Sequence, residues 1–566
     1  MKYLIFAIII IAAVFRFYGL NWDQGFHLHP DERMITMVAE KISLSDLNPH
    51  FFSYGSFPLY LLKGAGALAG IFNPEFSRYT SLNLVGRVLS ALFDMGTLAL
   101  LYLLAKKLFK KKVALLASFF YATAVLPIQL SHFYAVDTLL TFFIIATLYF
   151  LIQYLQKLNS FFLILTAFSL GLALATKISA LLFAVPIMLS LVFTTKPWTL
   201  NQIKKLAVGG SLLAVSTLTI FFIFEPFAFL DFPNFWQQTL AQQQMTRSAF
   251  TFPYTLQYVG KIPYFYELKN IFLWGIGPIL ATLAFIGVIF VTSALFIKRD
   301  SHVASLLGMT SLRAQRSNLF IPLSFFWFYF LVVGSFAIGF MRYMLPLYPL
   351  LCLFAAIFLM NALSFIKSRF QKFQPLLLTV YYLLLASLLI WPLAFISIYS
   401  QPNTRTTTTN WINNNIPAGS VIATEHWDDG LPLGTQANYQ VLALPMYDPD
   451  TPLKWQQINT ILSQTQYIII ASNRLYTPLQ KLTDCKKLPP GKCYQQTTEY
   501  YKHLFSGQNV TKGVRFSKVA EFTSYPRLEL GPPAGGWNLE LRDEVADESF
   551  TVYDHPKVMI FKKGLW

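Results

Sequence analysis

Apolar segments of about 17–25 residues, long enough to cross a bilayer as helices, recur through residues 1–400 of this 566-residue chain. A backbone placed in hydrocarbon must satisfy its own hydrogen bonds, so repeated runs of this length fold as a bundle of membrane helices. Composition agrees: 13% of the residues are charged and 55% hydrophobic, whereas soluble domains are about one-quarter charged. The expected spans are 3–20, 84–105, 113–130, 138–156, 161–176, 178–195, 206–226, 271–297, 319–340, 343–363 and 375–397, eleven in all. No small-residue cleavage site follows the first of them, which reads as a membrane helix and not as a removable leader.

The net charge of +17 would suit a nucleic-acid partner only if it were gathered on one surface. It is not. Residues 401–566 hold 16 Lys and Arg against 15 Asp and Glu. The excess sits in short clusters between apolar runs: KKLFKKK at 106–112, Lys157, Lys196 to Lys205, Lys298 to Arg316, and KSRFQK at 367–372. Eleven spans starting from a cytoplasmic Lys2 put every one of these clusters on the cytoplasmic side, as the bias of Lys and Arg toward inner loops requires. The same parity puts the end of the chain outside. A plasma-membrane location is expected, and no nucleic acid.

Two outer stretches are long, 21–83 and 227–270, and suit helices lying at the interface. After Gln401 the pattern changes. SVIATE, YQVLALPMY and QYIIIAS read as strands, PLKWQQINTILSQ and QQTTEYYKHLFSG as helices, and FTVYDHPKVMIFKK as strand-turn-strand. The expected fold class is therefore a polytopic α-helical membrane protein of about eleven spans (1–400) with a C-terminal extracytoplasmic mixed α/β domain (401–566). Cys352 reads as packing. Cys485 and Cys493, eight residues apart, suit a disulfide or two free thiols equally.

Ionisable groups near membrane helices are costly, about 2.5–3.5 kcal/mol each at a helix centre, so each needs a reason. Arg16 suits a snorkelling anchor. Asp94 is deep and needs a partner from another helix. The rest fall at the outer level: Asp31 and Glu32 after helix 1, Arg87 at the start of helix 2, Asp137 at the start of helix 4, Lys177 and Arg342 in short outer hairpins, and Glu225 at the end of helix 7. Taken singly, Asp137 suits a helix cap and Glu225 a helix end; His27 and His29 read as polar loop residues. Together, cations at the depth of a lipid phosphate and carboxylates able to take a proton from a hydroxyl suit sugar transfer from a lipid-phosphate donor. Two or three of Asp31, Asp137, Glu225 and His29 would also suit a divalent metal; no cofactor is otherwise called for.

HPDE after helix 1, GRVLSALFDMGTLALLYLLAKKLF, HFYAVDTLLTFF, ATKISALL and RYMLPLYPLL, in that order, resemble the GT-C glycosyltransferases, and among them the prokaryotic family 39 type, the dolichyl-phosphate-mannose–protein mannosyltransferase-like proteins. The lipid A aminoarabinose transferases are cousins. The terminal DESFTVYDHPKVMIFKK is similar to the tail of many prokaryotic members. The resemblance implies the GT-C fold and a catalytic acid in the first outer loop, here Asp31 with Glu32 beside it. It implies an acid at Asp137 and a donor-phosphate site at Arg87, Lys177 and Arg342, with Tyr343 adjoining. The implied partners are a polyprenyl-phosphate sugar, the bilayer, and a protein, lipid or glycan acceptor. The 227–270 loop is too short for the β-trefoil of eukaryotic protein mannosyltransferases, which leaves the acceptor open. A transporter or lipid flippase is the competing reading, weakened because no internal repeat pairs two broken helices. A sensor or assembly protein would leave the clustered charges unexplained.

Overall fold

The structure is a computed structural model, and it describes residues 2–194, 199–296, 316–369, 372, 374–511, 513–530 and 537–564. Lys196 and most of the basic cluster 298–316 lie outside the described residues.

Helices dominate the described part of the first 400 residues, and the chain is a multi-pass membrane protein. Six described helices are long and apolar enough to cross a membrane: Tyr79–Leu108, Asp137–Lys157, Leu200–Phe224, Pro278–Phe296, Met341–Arg369 and Gln374–Asn415. A further pair, Lys111–Ala122 and Val125–Ser131, is long and apolar enough to cross when taken together and is bent by 58°. Pro127 stands just past that break, where its missing N–H and fixed φ are tolerated. Four expected spans fall on shorter apolar helices, Tyr3–Phe17, Ser160–Thr176, Ile178–Phe193 and Leu319–Gly334.

The elements that position the site are α1 (Lys2–Phe17), α2 (Pro30–Lys41), α3 (Ser56–Gly70), α4 (Tyr79–Leu108), α5 (Lys111–Ala122), α6 (Val125–Ser131), α7 (Asp137–Lys157), α8 (Ser160–Thr176), α9 (Ala184–Thr194) and α10 (Leu200–Phe224). The two long stretches 21–83 and 227–270 are built from short helices, α2 and α3 in the first and α11 (Phe232–Arg247) in the second. On α11, Phe232 and Trp236 are exposed.

Arg16 departs from expectation. It is not an interfacial anchor: it is fully buried, paired with Asp94 of α4, and donates to the carbonyls of Tyr121 and Ala122 at 3.2 Å each. The Tyr121 hydroxyl donates to the other Asp94 oxygen. Asp94 thus finds its partner on another helix, and each charge is surrounded by hydrogen-bonding groups, the condition for keeping it in an apolar interior.

The C-terminal stretch forms a six-stranded sheet. Its strands are β1 (Val421–Glu425), β2 (Gln440–Leu444), β3 (Tyr467–Ile470), β4 (Asn509–Thr511), β5 (Val514–Phe522) and, after a separate hairpin of β6 (Arg527–Leu530) and β7 (Trp537–Glu540), β8 (Val558–Lys563). The order is β2-β1-β3-β8-β5-β4. β1 pairs in parallel with β2 and β3, while β8 is antiparallel to β3 and β5. β3 is apolar on both faces because both are covered. Ile468 and Ile470 pack with the helices Pro452–Gln464 and Gln495–Ser506, and Tyr467 and Ile469 pack on the side of Thr404–Asn415. Cys485 and Cys493 are bridged.

The expected strand-turn-strand at 550–563 is half right. β8 is a strand, but Glu548–Thr551 is a helical turn capped by Asp547. Phe550, Val552 and Tyr553 belong to the core of the membrane helices, so packing overrode their strand propensity. His555 pins this segment. Its Nε2 meets Asp543 at 2.8 Å and its Nδ1 meets Asp554, which also accepts from Gln129 of α6 at 3.0 Å and from the Tyr399 hydroxyl at 2.9 Å. Burial opposes charge on this imidazole, but the carboxylates of Asp554 and Asp543 outweigh it and push the pKa up to about 10. A folded value above the ordinary 6.5 stabilises the fold fully below pH 6.5, and that contribution is lost as pH rises through about 10. The melting temperature in detergent is therefore expected to fall over that window, and the fall to flatten in His555→Gln. Equal slopes in the two proteins would reject the clasp.

Candidate active site

The HPDE segment has a local reason first. His29 caps α2, its Nδ1 accepting from the Glu32 amide at 3.3 Å; Pro30 takes the first helical position, and Asp31 and Glu32 lie in the first turn, where negative charge suits the helix dipole. The two acids then part company. Glu32 turns inward and is fully buried against Arg87, which donates to it at 2.5 and 2.9 Å, to Asp23 at 2.7 Å and to the Leu20 carbonyl at 2.7 Å. Glu32 also accepts from the Tyr134 amide at 2.9 Å. Arg87 and Glu32 line no part of the cavity described next. The donor-phosphate role expected of Arg87 and a direct catalytic role for Glu32 do not fit this placement, because each spends its polar atoms on the other and on the loop; the other reading of Glu32, that it orients the loop or pairs with a cation, does fit.

Asp31 instead lines a cavity of about 1150 Å³, together with Lys177, Arg342, Tyr343 and Tyr54. Arg342 pairs with Asp31 and lies 3.7 Å from Asp137 Oδ2; Lys177 donates to Asp137 Oδ1 at 3.1 Å. The ammonium of Lys177 sits 4.6 Å from the centre of the Tyr343 ring. Two cations and two carboxylates thus alternate in one row. Each is set by its element. Lys177 ends α8, where a cation suits the helix C-terminus. Asp137 begins α7 after Val136, a β-branched residue at φ +48°, the kind of backbone strain that clusters at functional sites. Arg342 stands in the short 3-10 turn Met341–Leu347. Gly55 sits so close to the end of α8 that a Cβ there would lie 1.9 Å from the Ala175 carbonyl, which locks the loop between α2 and α3 beside Lys177.

Burial works against ionising Asp31, but the Arg342 guanidinium outweighs it, with the Tyr54 hydroxyl behind, and holds the carboxyl at about 2. Burial likewise drives the His29 imidazole down to about 3, so it is neutral. Its ring packs between Phe133 and Tyr553, with centroids 4.6 and 4.2 Å away.

The cavity has two kinds of wall. Leu181, Val185, Phe221, Val333 and Phe336 make an apolar side among the membrane helices, while Trp427, Asp428, Asp429, Arg474, Glu548 and Tyr553 come from the C-terminal stretch. The sequence reasoning missed all six of these, and Tyr54. No spacing marked them, though the similarity of the DESFTVYDHP tail to prokaryotic members was a hint. Glu225 also lines the cavity, but one of its oxygens accepts from the Ser56 amide at the start of α3. Among the described residues no group of three or more His, Cys, Asp or Glu is placed to hold a metal. His29 and Glu225 spend ligand atoms on helix caps, and Asp31 and Asp137 face cations; a divalent metal does not fit this set.

Residues 80–221 match the family described as dolichyl-phosphate-mannose-protein mannosyltransferase. The matched stretch contains Arg87, Asp137 and Lys177. No curated protein sequence matches the chain. Among solved structures, the Archaeoglobus fulgidus oligosaccharyltransferase in its apo form is similar at 13% identity and a TM-score of 0.48, over 92% of this chain and 80% of that one. ArnT from Cupriavidus metallidurans, also apo, is similar at 13% identity and 0.47, over 85% and 95%. The Saccharomyces cerevisiae protein O-mannosyltransferase Pmt1-Pmt2 complex is similar at 20% identity and 0.33, over 41% and 34%.

Proposed function

We propose that this chain is an integral-membrane glycosyltransferase that moves a sugar from a polyprenyl-phosphate donor to an acceptor hydroxyl at the outer face of the plasma membrane. The observation that carries this reading is the Asp31–Arg342–Asp137–Lys177 row, of which Asp31, Arg342 and Lys177 line a cavity with one apolar wall and one polar wall while Asp137 stands buried behind the two cations. An apolar wall suits a prenyl chain, and paired cations suit its phosphate. The match of residues 80–221 to a mannosyltransferase family supports it. The basic clusters support a cytoplasmic N-terminus, eleven crossings and an extracytoplasmic C-terminal domain from 401 onward.

In this mechanism the acceptor oxygen attacks the anomeric carbon, the bond from that carbon to the phosphate oxygen breaks, and the lipid phosphate leaves. Asp31 takes the hydroxyl proton. Lys177 and Arg342 stabilise charge on the departing phosphate. Asp137 holds both cations in place, and Tyr343 gives Lys177 an aromatic face. Arg87 and Glu32 brace the loop that carries Asp31.

The reading is tested on purified protein in liposomes with a panel of radiolabelled polyprenyl-phosphate sugars, following release of the polyprenyl phosphate. Release with one donor names the sugar. Lys177→Ala is expected to lower kcat/KM for that donor about 10²-fold or more, and Lys177→Arg to recover part of it, since either side chain donates to phosphate. No release with any donor and no thermal stabilisation by polyprenyl phosphate would shift the weight to the transporter.

A further inference from the structure

The roof of the cavity holds a carboxylate that the mechanism does not use. Glu548 is 8% exposed, and its Oε1 accepts from Arg474 Nε at 2.7 Å. Its Oε2 is buried and has no partner, yet Glu548 lines the cavity. A buried carboxylate oxygen without a donor costs at least about 1–3 kcal/mol, so its place in a cavity wall needs a reason. Arg474 is held at two further points: Nη1 donates to the Trp427 carbonyl at 3.3 Å, and the guanidinium carbon lies 5.8 Å from the centre of the Tyr553 ring. One guanidinium therefore ties Glu548 to Trp427.

Trp427 is itself unusual. Its φ is +83°, a conformation that L residues with large side chains rarely adopt. Its side chain lines the cavity and stays 44% exposed, with the Tyr254 ring 6.5 Å away. Backbone strain is tolerated here while a large aromatic surface remains uncovered. Tyr553, from the same segment as Glu548, lines the same cavity as Asp31 and Arg342, so the roof and these two charges belong to one chamber.

We propose that Glu548, Arg474 and Trp427 form a subsite for a saccharide acceptor, an assignment that rests on the transferase reading above. A sugar ring offers what each group lacks. Its C–H face covers an open indole, its hydroxyls donate to the free carboxylate oxygen, and its oxygens accept from a guanidinium. Arg474 already faces the Glu548 carboxyl, which favours a neutral polyol over an anion.

The test uses the full chain in nanodiscs with the donor that wild type discharges. The acceptor probes are an octyl glycoside, a mannose oligosaccharide, and a Ser/Thr peptide. A saccharide probe is expected to accelerate donor discharge and to become labelled. Glu548→Gln keeps an oxygen for Arg474 and is expected to keep the melting temperature. It should raise KM for the saccharide tenfold or more, with donor KM unchanged. Trp427→Ala should do the same, Trp427→Phe less; these exposed-ring variants stand in if Glu548→Gln does not fold. Labelling of the peptide alone, or saccharide KM unchanged in Glu548→Gln and Trp427→Ala, overturns the subsite and leaves the transferase. No donor discharge by wild type overturns the transferase reading and the subsite with it.

Discussion

Asp31→Asn is expected to lower sugar transfer by about 10²–10⁴-fold, the range that a general base contributes, while the melting temperature stays within a few degrees of wild type. Asn keeps an oxygen for Arg342 and a cap-compatible side chain in the first turn of α2, so the loop has little reason to move. What it loses is charge and proton affinity. The size of the effect follows from how Asp31 is held. With Arg342 against it, the carboxyl sits at about 2 and is ionised at any working pH. A carboxylate so well paired is a weak base. A donor phosphate that draws Arg342 toward itself would raise the proton affinity of Asp31 at the moment it is needed. The acid limb of a pH–rate profile is accordingly expected to belong to another group and to survive in the residual activity of the variant. Turnover in Asp31→Asn within a few-fold of wild type would remove the residue from the mechanism.

The second large effect is on stability. Asp94→Ala is expected to cost about 3–5 kcal/mol, the usual penalty for leaving one member of a buried ion pair alone. Arg16 would keep its carbonyl contacts but lose its counter-charge, and the Tyr121 hydroxyl would lose its acceptor. Replacing both partners, Arg16→Met with Asp94→Leu, removes the uncompensated charge and is expected to recover most of the loss. Thermal unfolding in detergent reads both variants. A double variant as unstable as the single one would mean that the pair contributes through its packing shape and not through charge.

The contrast between these two clusters explains what was legible in the residues alone. The multi-pass architecture was, because hydrocarbon leaves so few alternatives, and so was the gathering of Asp31, Asp137, Lys177 and Arg342. Each of those four is an ionisable residue at the end of an apolar run, and the runs bring these ends together. What escaped was pairing. Nothing in sequence distance tells that Arg87 saturates itself on Asp23 and Glu32, or that Arg16 reaches Asp94 across helices. The roof was illegible for the same reason. Arg474 and Glu548 lie 74 residues apart in a stretch whose periodicity reports strands and helices, and their meeting depends on how that stretch lies against the membrane helices.

The final segment has a consequence for how the protein is made. Phe550, Val552 and Tyr553 complete the core of helices that begin with α1, and Asp554 is bonded to Gln129. A ribosome releases those residues only after the whole helical bundle has been handed to the membrane. Until then His29 lacks the ring of Tyr553 against it, and the chamber lacks Glu548. A nascent chain therefore holds an open, unfinished centre until residues 548–553 have followed the helices out and docked on them.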